Sequence, residues 1–229
     1  NVTASMMREF LEIYDLNDIT NQTWLGLSNR LLHEIKEEEN KKFNRYKKQK
    51  KQDVTFSMSD ENSLSGIINN LMNVSSGKIE NEIKITSSSC QNNEDRFQAR
   101  NVVLYNDKNK IFKSQYSGNS WICFDFIDKK VIPSCYTMRT GDHLNNRANI
   151  YNWVLEGSND EKSWSTLDSH NKCTDLNGTN CIHTYKLNNQ NSNKYRYLRI
   201  RSTGVDCNCT YFLSFEAIEF YGKLIYNEE

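Results

Sequence analysis

The chain has 229 residues, in which 29 basic and 29 acidic side chains cancel. That balance argues against a general attraction for nucleic acid or for an anionic membrane. No apolar run approaches the roughly 18 residues that suggest a membrane-spanning helix.

In chain order, Phe10, Leu11, Ile13 and Tyr14 close a short apolar, helix-like segment that Asp15–Ile19 breaks. Thr20 is placed to cap a second helix, its hydroxyl accepting from the free backbone N–H groups of the first turn. Trp24, Leu27, Leu31 and Ile35 follow at spacings of three and four, one apolar face of about four turns. From Lys36 to Lys51 the apolar content collapses into lysine, glutamate, asparagine and glutamine, read as a solvated linker. Residues 1–60 are therefore assigned to a helical segment and charged linker, and residues 61–229 to a second domain. Leu64–Leu71 reads as a short amphipathic turn leading into that domain, and Glu82–Thr86 as its first strand.

Further on, Trp121–Phe126, Val131–Arg139, Tyr151–Asp160, Tyr195–Arg201 and Phe212–Tyr221 alternate large apolar residues with polar or small ones. A period of two marks strands with one buried face. Short strands at regular spacing, separated by turn residues, predict a mainly β fold, an antiparallel β-sandwich after a short α-helical segment. Trp121, Trp153 and Trp164 are expected in the sandwich core, with Cys123 and Cys135 as small core hydrophobes. Pro133, which has no N–H to give a ladder, is expected at an edge or a bulge.

Seven cysteines cannot all pair within one chain. The chain opens Asn-Val-Thr with no basic-then-apolar leader in view, so it reads as a piece of a longer protein with reduced thiols, in the cytoplasm. Sequons at Asn1, Asn21, Asn73, Asn177 and Asn208 keep a cell-surface or secreted location as the alternative.

The order of several segments carries a family likeness. Gly77–Ser89, Phe97–Val103, Ser120–Phe126, Trp153–Asp160 with Trp164, Tyr197–Arg201 and Glu216–Gly222 follow one another as in F5/8 type C, discoidin-like or galactose-binding-like domains. The chain resembles that family over about residues 74–224, in the version found in intracellular trichomonad proteins. Phe10–Thr20 followed by Trp24 resembles the tail of the BTB and BACK-like helical region that precedes the sandwich in such proteins. The resemblance implies an eight-stranded jelly roll with binding loops at one end, here Ser87–Arg96, Thr140–Ile150 and Thr203–Tyr211.

Within those loops His143, Asn145, Asn146, Arg147 and Asn149 offer the mixed donors and acceptors that sugar hydroxyls or a protein surface need. Arg139 resembles in position an arginine used by sugar-binding members. Tyr211 and Phe212 are candidates for an aromatic platform, and Asp206 for a polar contact beside it. The first loop departs from galactose-binding members, carrying Ser89–Glu94 where they place a histidine. Polar loop tips argue against lipid binding. The resemblance also implies a possible structural calcium ion, with Asp107, Glu216 and Glu219 as its ligands. Cys173, Cys181, Cys207, Cys209, His170 and His183 have no zinc-knuckle spacing and read as plain thiols and imidazoles. No phosphate loop, nucleophile elbow or paired-carboxylate motif is present in the sequence, so the expectation is a non-catalytic module. It would mediate protein–protein interaction within a larger intracellular, cytoskeletal or multidomain, assembly; a lectin-like, carbohydrate-binding module is the alternative.

Overall fold

A computed structural model describes residues 52–58, 63–107, 110–142, 149–188 and 193–226. The chain divides after Lys51, and the β unit begins at Gln52. The two helices expected before Lys36 lie outside the described residues. The domain boundary expected at residue 60 falls too late, because β1 (Val54–Phe56) already belongs to the sandwich.

After β1 come α1 (Ile67–Val74) and β2 (Lys84–Ser87), then short 3-10 turns that include Ala99–Val103. The remaining strands are β3 (Phe112–Lys113), β4 (Trp121–Asp125), β5 (Lys129–Arg139), β6 (Trp153–Ser158) and β7 (Ser165–His170). They continue with β8 (Ile182–Lys186), β9 (Tyr197–Ser202), β10 (Ser214–Phe215) and β11 (Ala217–Tyr226). One sheet runs β1-β11-β5-β8, the other β2-β4-β9-β6-β7, with every pairing antiparallel. Four strands facing four in this interleaved order make a jelly roll, to which β2 adds an edge. β10 and β3 form a small separate ladder.

The alternation read from the sequence sets which face of each strand is buried. In β4, Ile122 and Phe124 point into the core and face Ile200 and Leu198 of β9. From the other sheet Tyr136, Met138, Ile218 and Phe220 meet them, and Phe124 packs edge-on to Phe220 at 5.3 Å. Trp153 is fully buried as expected, whereas Trp121 and Trp164 are not core residues. Trp121 sits one residue out of phase with Ile122 and so takes the outer face of its sheet.

Pro133 lies in β5, an interior strand, at the place where the β5–β11 register shifts. The bulge removes the demand for a ladder N–H at that point. α1 packs on β11 through Ile67, Ile68 and Leu71. Its first N–H groups, which have no partner inside the helix, are met by the buried Glu219 carboxylate: Ile68 N donates at 2.7 Å and Asn69 N at 2.9 Å.

Candidate functional site

Strand register alone gathers the long connections at one end of the sandwich. Ser87 pairs with Ile122, Arg201 with Trp121, Ser202 with Trp153 and Trp153 with His170. In the other sheet Arg139 pairs with Ala217 and Ile182. The connections following β2, β5, β7 and β9, and the one preceding β4, therefore open at the same end. Cross-links join them: Gln115 N donates to Ser89 Oγ, Asn149 Nδ2 donates to the Gly178 carbonyl at 2.8 Å, and Cys207 N donates to the Asn149 carbonyl. The three loops expected from the resemblance are among them.

The expected site residues divide into three groups. His143, Asn145, Asn146 and Arg147 lie outside the described residues. Arg139, Asn149 and Asp206 are tied into the scaffold. Arg139 donates through Nε and Nη2 to both oxygens of Glu216 at 3.1 Å, and Nη2 also donates to the Tyr105 carbonyl at 2.8 Å. Such a fork-on-fork pair fixes the guanidinium plane. It leaves Arg139 a wall of the loop end, where it anchors the Glu216 carboxylate. Asp206, 2% exposed, accepts from the backbone N–H groups of Asn208 and Thr210 and from the Thr210 hydroxyl. It shapes the Val205–Thr210 turn from within, its carboxylate held away from solvent.

Of the two platform candidates Tyr211 is exposed and Phe212 half-buried. They are joined by Tyr116, which the sequence reading did not single out. Tyr116 meets Tyr211 at 5.7 Å and Phe212 at 5.3 Å between ring centroids, both edge-on. Tyr116 is 62% exposed and Tyr211 41% exposed, an unusual degree for residues that bury so much area in a core. Ser117 N donates to the Tyr211 carbonyl, which holds the two loops in step. Beneath them the Lys113 ammonium lies 4.3 Å from the Phe212 ring centroid. Burial pushes its pKa down, and the neighbouring Asp206 charge opposes that shift. A solvent-facing aromatic surface on a cationic base, set in polar loops, is the chemical character of this end.

The calcium set does not hold together. Both Glu216 oxygens are taken by Arg139, and those of Glu219 accept from Ile68, Asn69 and Phe220 N–H with Tyr105 Oη at 3.1 Å. Burial pushes the Glu219 pKa up even with these backbone donors opposing it. Asp107 pairs instead with Lys110 at 3.6 Å. Calcium takes six to eight free oxygen ligands, and carboxylates already ringed by donors do not fit it. Among the described residues no cluster of three or more His, Cys, Asp or Glu is placed to hold a metal. All seven cysteines are free thiols, of which Cys123 and Cys135 are buried as expected.

Geometry and topology thus define an antiparallel jelly-roll sandwich with an aromatic loop end. No family model matches the chain. Over 109 residues it is 30% identical to the E3 ubiquitin-protein ligase Ufd4 of Drosophila melanogaster, covering 46% of this chain and 4% of that one. Over 145 residues it is 24% identical to the E3 ubiquitin-protein ligase hecd-1 of Caenorhabditis elegans, covering 62% of this chain and 5% of the other. The chain thus spans about a twentieth of the length of these relatives. Among solved structures it is similar to CpGH89CBM32-5 of Clostridium perfringens, in complex with GalNAc-β-1,3-galactose. The identity is 16% and the TM-score 0.49, over 62% of this chain and 96% of that one. It is also similar to chitosan-binding module 1 of a chitosanase/glucanase from Paenibacillus sp. IK-5, at 16% identity and a TM-score of 0.46, over 62% and 96%.

Proposed function

We propose that this sandwich is a non-catalytic recognition module that binds carbohydrate at its loop end. The observation that carries this reading is the exposed pair Tyr116 and Tyr211, packed with the half-buried Phe212, on a rim otherwise built of polar loops. Tyrosine faces pack against the C–H face of a sugar while their hydroxyls, and the loop amides around them, meet its hydroxyl groups. The Arg139–Glu216 pair and the Asp206 turn hold the described walls of this rim in place, which lowers the cost of ordering them on binding.

A glycan array probed with the labelled chain tests this. Tyr116→Ala and Tyr211→Ala should each weaken the binding found by about tenfold, ~1.4 kcal/mol, with an unchanged melting temperature. An array that stays blank, or binding indifferent to both substitutions, would sink the reading.

The likeness to short stretches of two ubiquitin ligases favours a second reading, docking of a protein partner at the same loop end. A photo-crosslinking residue at Tyr211 in the full-length protein separates the two. Crosslinks to one defined protein segment favour the second reading, and crosslinks to glycan alone exclude it.

A further inference from the structure

The outer face of the five-stranded sheet holds an open groove of about 340 Å³, distinct from the aromatic trio. It is lined by β4, β9 and the hairpin between β6 and β7. Trp121 and Trp164, both partly exposed, flank it, and Cys123 and Arg199 form its floor. The floor is rigid. Arg199 Nε donates to Glu156 at 2.8 Å, Arg201 Nη2 donates to the same carboxylate at 2.7 Å, and the Arg199 guanidinium lies 3.7 Å from the Trp164 ring centroid. Asp160 ties the hairpin by accepting from the N–H groups of Lys162 and Ser163, which fixes the turn that carries Trp164. Charges along the walls cancel, Arg199 and Lys162 against Asp160 and Glu161. The groove therefore favours neither sign of ligand.

Its direction is set by the sheet. From the hairpin at the far end it crosses Arg199 and Cys123 to Trp121, which opens β4 at the loop end. Trp121 and Cys123 lie about 7 Å apart along the strand. The connection that leads directly into Trp121 is the one that carries Tyr116, and Ser202 N donates to the carbonyl of Ser120 beside it. One short stretch of chain thus carries a member of each aromatic group, Tyr116 at the rim and Trp121 on the sheet.

We infer that the groove is a second subsite, binding an internal stretch of a neutral, linear oligosaccharide whose end occupies the aromatic trio. This rests on the carbohydrate reading of the loop end. It adds that the ligand is recognised along its chain and not only at its terminus. The Trp121 indole and the Trp164 face turned away from Arg199 offer apolar surface for sugar C–H faces, and Lys162 and Glu161 on the wall offer polar groups for the hydroxyls, which suits an uncharged polyol chain.

Calorimetry with neutral hexasaccharides of galactose, glucose and N-acetylglucosamine, each beside its monosaccharide, tests the inference. At least one hexasaccharide should bind about tenfold tighter than its monosaccharide. Trp121→Ala and Trp164→Ala should bring the hexasaccharide to the monosaccharide's affinity and leave the monosaccharide unchanged. Tyr211→Ala should weaken both. Trp164→Phe, which keeps a ring over Arg199, should retain most of the gain and so separates lost contact from lost folding. A hexasaccharide that binds no tighter than its monosaccharide, or is indifferent to both tryptophan substitutions, overturns the groove and leaves the loop-end site standing. Failure of every saccharide to bind overturns both.

Discussion

Arg139 was expected to touch a ligand, and its surroundings give it another task. Its guanidinium meets both oxygens of Glu216, whose side chain is 3% exposed. Removing one partner of such a pair leaves an uncompensated buried charge, whereas replacing both with apolar groups is often neutral. Arg139→Ala should therefore cost about 2–4 kcal/mol in urea unfolding. The double substitution Arg139→Met with Glu216→Leu should recover most of that loss. If Arg139 is a wall and not a ligand contact, glycan binding should follow the same recovery. A double variant restored in stability but silent on the glycan array would return Arg139 to the site. The residues that truly face solvent differ in how readable they were. Tyr211 and Phe212 stand out as adjacent aromatics in a polar stretch, but Tyr116 joins them only through folding from another loop. Lys113, three residues before Tyr116 and 4.3 Å from the Phe212 ring centroid, is brought against that ring only by folding.

Strands were legible in proportion to how much each one buries. β4, β5, β6, β9 and β11 run through the middle of the sheets, and their apolar alternation is strong. β7 and β8 are edges, Ser-Thr-Leu-Asp-Ser-His and Ile-His-Thr-Tyr-Lys, with too few apolar positions to set a period. β1 is three residues long and was absorbed into the expected linker. The expected strand Phe212–Tyr221 splits at Glu216, where the chain leaves β10 and its N–H donates to the Arg139 carbonyl. The bulge facing Pro133 depends on Gly222, whose φ of +130° is open chiefly to glycine. An added Cβ there would stand 2.1 Å from the Ile132 carbonyl oxygen, against backbone that cannot swing aside. Gly222→Ala should destabilise the sandwich by about 3 kcal/mol, read from the midpoint of urea unfolding. A change below about 0.5 kcal/mol would show that β5 and β11 can re-register without this bulge.

Besides apolar packing, a polar network at the β7 side ties the two sheets together. Tyr136 of β5 donates from Oη to Asp168 Oδ2 at 2.9 Å, and Trp153 Nε1 of β6 donates to Tyr136 Oη at 3.0 Å. His170 Nε2 sits 2.7 Å from the same Asp168 oxygen, and its ring stacks on Trp153 at 4.4 Å. Burial raises the Asp168 pKa, but the bonds from His170, Tyr136 and the Ser169 N–H outweigh it and hold the carboxyl below its ordinary value. Glu156, between Arg199 and Arg201, is lowered in the same sense against its burial. A carboxyl whose folded pKa is depressed adds stability that is fully present above its unfolded value, near pH 4, and is lost as pH falls through the folded value. Glu219 works in the opposite direction, since burial raises it and its proton favours the folded state as pH drops. The acid limb of the stability curve should accordingly be shallow, with Asp168 and Glu156 setting its fall. Asp168→Asn should cost about 1–3 kcal/mol at pH 7 through the lost charge-assisted bonds. That deficit should shrink steadily as pH is lowered below about 4, where the native aspartate gives up its own advantage. Urea unfolding of both proteins between pH 7 and pH 2 decides the matter. A deficit constant across that range would mean that Asp168 ties the sheets by shape alone, without a charge to lose.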